Sequence, residues 1–413
     1  MVQTAGDKDA FRSTHYLGIL PWYYWWLRTQ VYQQPIQLYA CVRGFVDESE
    51  DIPFNEIKSI YLKVSEIVTN NAALSIDDIV QQLSEVGSII VSEDRQLRSA
   101  TDLIFSIIGW QTMLYRPDIL SCPPSEFCIT DEMNGHRSSC HLCLKQFRVC
   151  KSKGLSEFLL GFGLMLIPRN YNTLEDAEEA KAFNRLKSVK SSTLNAYLLT
   201  TIGGITISWS DCLACHLELD KNARVLYVFR YPSFCVESLG GQSARGSGRS
   251  TIHSCTSDFP NNNHWATPQD VTELLREVLI SYRLLFGQER KSRKAFRKLR
   301  PFEHIPKNSH DRFLLEVCGK KRLDLLSGVK ERDSYELARD FPHLRAQLVA
   351  LSMYLDDRKP RSWKELWLDT RDSASWLTFW AVIIIGGLGL ILAFLQVVLQ
   401  ITQLAIDLRQ AGS

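Results

Sequence analysis

Apolar residues recur at helical spacing along most of the chain. In 55–70, Ile57, Ile60, Tyr61, Val64, Ile67 and Val68 share one face of a 3.6-residue period, which predicts an amphipathic helix. Ser75-Ile76-Asp77-Asp78 predicts the capped start of a second helix, reaching 90. The stretch 97–115 predicts a third, stopped ahead of Pro117 because the residue before a proline is pushed out of the helical region. The run 158–167 (FLLGFGLMLI) predicts a short buried helix or strand ended by Pro168. Thr173 to Asp176 read as the cap of a charged helix extending to 190, with 194–199 continuing as helix.

The period then changes. Gly203-Gly204 lead into alternation over 205–209. The runs 216–219 and 225–229 flank 220–224, as in an antiparallel hairpin. The Gly/Ser/Asn-rich stretch 238–264 reads as a long exposed loop. Thr267, Pro268 and Asp270 then mark a helix start, with an N-cap, a first-turn proline and an acid at the third position. That helix should reach Phe286, with Gly287 as its C-terminal cap. Short helices fill 311–355, the last of them, 344–355, amphipathic. No internal repeat is present. The pattern predicts a mostly α (α+β) body with a small antiparallel β element near 203–230 and one C-terminal transmembrane helix.

The C-terminal pattern differs from all of this. Between Asp372 and Asp407 stand 34 consecutive uncharged residues, Ser373 to Ile406. At ~1.5 Å per residue a helix of that length covers about 51 Å, and a bilayer core needs only about 20 residues. A buried core helix would need a large domain around it, and little chain follows. A tail-anchored layout is therefore expected, with the body facing the cytosol. Arg358, Lys359, Arg361, Lys364 and Arg371 precede the span and Arg409 follows it, the bias expected of a cytosolic N-terminal side. Trp376 and Trp380 stand at its start, suited to the headgroup level. Ser362-Trp363-Lys364-Glu365 reads as a capping box opening a short helix, 362–375, with Trp363, Leu366 and Trp367 on one face. That helix either lies on the membrane or packs on the body.

At the other end, 16–27 (YLGILPWYYWWL) is apolar but too short to span a membrane. It lacks the basic start and small-residue cleavage site of a signal peptide. Core or membrane-surface packing is expected. The chain divides into 1–170, helical with a Cys-rich loop; 171–300, α+β with the hairpin and the long loop; and a helical connector, 301–361. The juxtamembrane helix 362–375, the span 376–406 and a tail 407–413 complete it.

Composition narrows the function classes. Lys+Arg 48 against Asp+Glu 46 gives a net charge of +2, so a nucleic-acid partner is not expected for the chain as a whole. One local exception is 288–300, where Arg290, Lys291, Arg293, Lys294, Arg297, Lys298 and Arg300 face a single acid, Glu289. Anionic headgroups, nuclear import or RNA, and a plain solvated face are its three readings. Eleven cysteines and no N-x-[ST] sequon fit reduced thiols in a cytosolic body. Cys140-His-Leu-Cys143 has the two-residue gap that places two thiolates on one zinc, and Cys122 and Cys128 could complete four ligands. Redox thiols and ordinary loop thiols are the alternatives. Cys212-Leu-Ala-Cys215-His216 is a second such pair, read either as a nucleophile with a base or as a packed hairpin edge. The loop around 240–250 lacks the Lys of a phosphate-binding loop, and no hydrolase, zinc-protease or kinase motif is present.

Within the span, Gly386, Gly389, Ala393, Gln396, Gln400 and Gln403 are spaced 3, 4, 3, 4, 3, a heptad seam. Its first half is small and its second half carries amides, which lets a helix pair with itself or with a partner helix. Alternatively, the glutamines mark where the helix leaves the membrane.

Several segments carry a resemblance. Ser192-Thr-Leu-Asn195-Ala-Tyr, Gly203-Gly204-Ile, Trp209-Ser-Asp211, His216-Leu and Leu226-Tyr-Val-Phe229-Arg-Tyr-Pro-Ser-Phe-Cys235 form one block. Leu284-Leu-Phe-Gly287-Gln forms another, and Trp367-Leu-Asp-Thr-Arg371-Asp372 with Trp376-Leu-Thr-Phe379-Trp380-Ala a third. Together they resemble an uncharacterised family of filamentous-fungal proteins. The resemblance implies a cytosolic, mainly helical body on a C-terminal membrane anchor, and it carries no catalytic residue. The function expected is a membrane-anchored scaffold, adaptor or regulatory protein, without a cofactor unless zinc sits in the Cys-rich loop. The second class is a membrane-bound accessory enzyme, for instance of a specialised-metabolite pathway.

Overall fold

The structure is a computed structural model that describes residues 17, 20–45, 52–71, 73–132, 143–164, 169–243, 250–257, 266–320, 331–358 and 373–411. Two compact units emerge, Met1–Asp357 and Arg358–Ser413. The sequence regions 1–170, 171–300 and 301–361 are consecutive stretches of the first unit up to Asp357. One continuous apolar core runs through it, from Leu20 to Leu355.

The first helix, α1 (Pro21–Tyr32), starts on a proline, which has no N–H to leave unbonded at that position. In its aromatic run Trp22, Tyr23 and Trp26 are core, while Tyr24 is exposed and Trp25 half-buried. Trp22 stacks on Tyr231 at 3.9 Å and donates to Ser233 Oγ, while the Tyr23 hydroxyl donates to the Trp110 carbonyl. Trp26 Nε1 donates to Asp211 Oδ2 across 185 residues of sequence. Helices α2 (Phe54–Asn70), α3 (Ile76–Glu85) and α4 (Asp94–Thr112) follow, α3 opened by the Ser75/Asp78 capping box. From Ser99 onward every residue of α4 is buried, as expected of a helix enclosed on all sides. It stops at Thr112, three residues short of the sequence expectation, because Met113 turns left-handed and sends Tyr115 back onto the helix. The Tyr115 hydroxyl then bonds the Phe105 carbonyl, and a side chain at Gly109 would meet the Tyr115 ring at 2.8 Å.

The antiparallel strands β1 (Glu126–Cys128) and β2 (Lys145–Phe147) flank the Cys-rich loop. Helix α5 (Leu155–Gly161) follows, starting earlier than the apolar run predicts. Helix α6 (Ala177–Arg185) begins later than predicted, because Asp176 rather than Thr173 takes its first N–H groups. The end of the charged stretch is strand β3 (Ser188–Lys190) rather than helix. It pairs antiparallel with β7, described below. After α7 (Ala196–Thr201) come β4 (Thr206–Ser210), β5 (Leu219–Asp220) and β6 (Val225–Phe229).

β5 and β6 form the antiparallel hairpin, its turn held by Asp220 Oδ1 accepting from the N–H groups of Asn222 and Ala223. β4 joins the other edge of β6 in parallel, giving a small mixed sheet of order β4-β6-β5. The chain between β4 and β5 makes the required reversal through Leu217, which sits at φ 63.

The expected exposed loop at 238–264 is overturned in its described parts. Helix α8 (Pro232–Ser243) carries Gly240 and Gly241, and the single turn α9 (Thr251–Ser254) is buried. Thr251 and His253 there are hydrogen-bonded inward rather than solvated: Thr251 Oγ1 lies 3.4 Å from Ser65 Oγ, and His253 lies between Ser250 Oγ at 2.6 Å and Thr272 Oγ1 at 3.1 Å.

Helix α10 (Pro268–Tyr282) opens with the expected Thr267/Asp270 capping box. It passes into a π turn (Arg283–Gly287) before α11 (Arg290–Phe296). Helix α12 (Arg312–Val317), strand β7 (Ser334–Glu336), the short α13 (Leu337–Asp340) and the buried α14 (Arg345–Asp356) complete the first unit. The second unit is dominated by α15 (Ser373–Ala411), 39 residues long.

Candidate functional site

α15 is the feature with the least ambiguous chemistry. Its stretch Trp380–Leu404, 25 residues with mean hydropathy 2.8, is long and apolar enough to cross a membrane, and none of it is buried within the chain. At ~1.5 Å per residue it covers about 37 Å against a hydrocarbon core of about 30 Å. On a 100° turn per residue, Gly386, Gly389, Ala393, Gln396, Gln400 and Gln403 fall within about 100° of arc, one face of the helix. Side chains added at Gly386 or Gly389 would meet nothing within 4 Å, so that face is open to a neighbour. Trp380 stands at the N-terminal edge of the stretch. Trp363, Trp367 and the side chain of Trp376 lie outside the described residues.

The cysteine set is only partly in view, because Cys140 lies outside the described residues. Cys122 and Cys128 are neighbours, and burial, then the nearby Cys128 thiol, push the Cys122 thiol up to about 12. Cys122 Sγ also donates to the Glu126 carbonyl at 3.0 Å. Cys143 is exposed and donates to the Lys145 carbonyl at 2.8 Å. β1 and β2 therefore bring the two ends of the loop together, Cys128 pairing in register with Lys145.

At the second pair, Cys212 and Cys215 are buried and the Cys212 thiol donates to the Leu114 carbonyl at 2.8 Å. His216 is engaged on both ring nitrogens. Nδ1 accepts from the Phe229 N–H at 3.2 Å, so the proton sits on Nε2 and is donated to Ser281 Oγ at 2.8 Å. Ser281 passes a hydrogen bond on to the Val278 carbonyl. Burial lowers the His216 pKa to about 3, which keeps the ring neutral. The histidine is thus a tie between the sheet and α10 rather than a base beside a thiol.

Sequence reasoning missed one cluster. Asp270 and Glu273 on α10 and His343, which follows Pro342, offer donor atoms within 4.8 Å of one another. Among the described residues this is the one such group of three. Glu277, one turn further along α10, accepts the His343 and Leu344 N–H groups at 2.9 and 2.7 Å and so fixes the histidine's backbone. Arg169 Nε meets Asp270 Oδ1 at 3.0 Å and its Nη2 meets Glu273 Oε1 at 2.8 Å. Carboxylates with an imidazole suit a hard or borderline divalent cation. Here the guanidinium already supplies the positive charge that both carboxylates need. The capping box was legible in sequence; its pairing with residues 169 and 343 had no local signal.

The basic stretch is helical over Arg290–Phe296, as α11, and its cations are exposed except Arg293, which bonds the Gly287 and Gln288 carbonyls. Scans against protein-family models, curated proteins and solved structures return no match for this chain. What stands is a class: a mostly α body with small β elements, and one long apolar helix.

Proposed function

We propose that this protein is a membrane-anchored scaffold, adaptor or regulatory protein, its helical body held at a bilayer by α15. The observation that carries the reading is the Trp380–Leu404 stretch, uncharged, of mean hydropathy 2.8 and uncovered by its own chain. In water such a helix would expose a row of large apolar side chains from Val382 to Leu404. In lipid it is satisfied, because every backbone group within it bonds internally.

The charge bias before the helix supports a cytosolic body, and the fungal resemblance implies the same layout. The seam of small residues and glutamines supports pairing of α15 with a second copy or another membrane helix. Zinc in the Cys122/Cys128/Cys140/Cys143 loop remains part of the proposal, supported by the thiol pair at Cys122 and Cys128. The engagement of His216, Cys212 and Cys215 in the fold favours the non-enzymatic reading over an accessory enzyme built on that pair.

Protease treatment of sealed membranes from expressing cells tests the orientation. Digestion of the body from the cytosolic face is the expected result; a protected body would reverse the proposed topology.

A further inference from the structure

α11 and the turn that follows it present an outward face made almost wholly of cations. The inner face of α11 is fixed: Ser292 is buried and bonds Asn195 Oδ1 at 3.0 Å, while Phe296 packs edge-on against Trp209 and Phe286. With that face held inward, Arg290, Lys291, Lys294, Arg297, Lys298 and Arg300 are left exposed. Arg293 alone turns back, onto the carbonyls of Gly287 and Gln288. Lys291 lies over the Tyr197 ring at 5.1 Å and Arg300 meets Glu303 at 2.9 Å. Among the described residues, Arg290, Lys294, Arg297 and Lys298 have no carboxylate within 4.0 Å. The one acid of the stretch, Glu289, lies by Ser191 Oγ at 3.5 Å. An ordinary solvated surface interleaves both signs; this one does not.

We infer that this face docks the body on the anionic headgroups of a lipid leaflet. The inference rests on reading α15 as a membrane span. The chain between Asp357 and Ser373 then acts as a tether reaching at most ~58 Å. That tether holds the headgroups at high effective concentration, so weak electrostatic contacts suffice. A nucleic acid would meet the same cations but has no tether, and the chain's net charge of +2 gives it no wider basic field to follow. A cation near an anionic leaflet contributes about fivefold in partitioning, so reversing three of them costs on the order of a hundredfold or more.

The test uses the full chain in phosphatidylcholine nanodiscs, mixed with vesicles of phosphatidylcholine alone or with phosphatidylserine, and reads co-flotation. Flotation with the phosphatidylserine vesicles only is expected, abolished by added salt and by the triple variant Lys294→Glu, Arg297→Glu, Lys298→Glu. All three positions are exposed, and an unchanged thermal midpoint shows that the variant is folded. Equal flotation of wild type and variant, or none with phosphatidylserine, overturns the inference. So does patch-dependent capture of single-stranded RNA without capture of vesicles. Failure of the chain to enter nanodiscs counts instead against the membrane reading. Flotation of the full chain without nanodiscs, wild type against triple variant, then still decides on the patch.

Discussion

Glu277 shows how much a single buried side chain can organise. It is 2% exposed, yet it takes the N–H groups of His343 and Leu344 and so ties α10 to the start of α14. Burial, outweighing those two N–H bonds, pushes its carboxyl up to about 8 from 4.5. The folded chain therefore holds a proton that the unfolded chain releases between about 4.5 and about 8. Its contribution to stability is complete below that window and falls as the pH rises through it. Urea midpoints across the window should decline for wild type and decline less for Glu277→Gln; parallel curves would contradict this. Glu277→Ala should cost about 2–3 kcal/mol, by leaving two buried N–H groups without an acceptor. None of this was legible in sequence, because the partners lie 66 and 67 residues away. Thr267 and Asp270 were legible, since a cap is a contact three residues long.

At the scale of elements, the same contrast explains which of them were foreseen. Helices set by a local period or cap start where the pattern puts them: α2 matches over its whole length, while α3 ends at Glu85, short of the expected 90, and α10 gives way to the π turn at Arg283. The buried turn α9 was read as loop because its side chains are mostly polar, and only the fold supplies the partners of Thr251 and His253, at Ser65 and Thr272. β4 was foreseen as a strand, but its parallel pairing with β6 depends on a chain reversal that no local signal reports.

The π turn after α10 illustrates a third case. It aims the buried Arg283 at the carbonyls of Val317 and Gly319 and at Glu331, either side of residues 321–330. Gly287 is required beside it, since an added Cβ would sit 2.4 Å from the Arg283 guanidinium and 2.8 Å from the Val317 carbonyl. Arg283→Met should lower stability by about 3 kcal/mol, through the carbonyls and carboxylate left behind; a chemical-denaturation difference below ~1 kcal/mol would show that the clamp contributes little.

Two further elements carry predictions. If the Cys-rich loop holds zinc, elemental analysis of the purified chain finds about one zinc per molecule and Cys140→Ser removes it. A zinc-free wild type ends that reading. Along α15, replacing Gln396 and Gln400 with Leu should weaken self- or partner association in a cross-linking assay, whereas Val397→Leu should not. Unchanged association in both leaves the glutamines as interfacial groups only.

For the molecule as a whole, the class was legible early. An uncharged run of 34 residues is a signal that needs no tertiary knowledge, and α15 is the helix it implies. The body was legible as mostly helical but not as one core. Trp22, Trp26 and Tyr61 reach partners at Tyr231, Asp211 and Tyr23, and such distant pairs leave no trace in hydrophobic period.

The central claim is that α15 is what holds this body at a membrane. Alkaline carbonate extraction of membranes from cells expressing the full chain, beside a chain lacking 376–413, tests it directly. The account predicts that the full chain stays in the pellet while the shortened chain is released into the supernatant. Release of the full chain by carbonate, or a shortened chain that still resists it, would contradict the account.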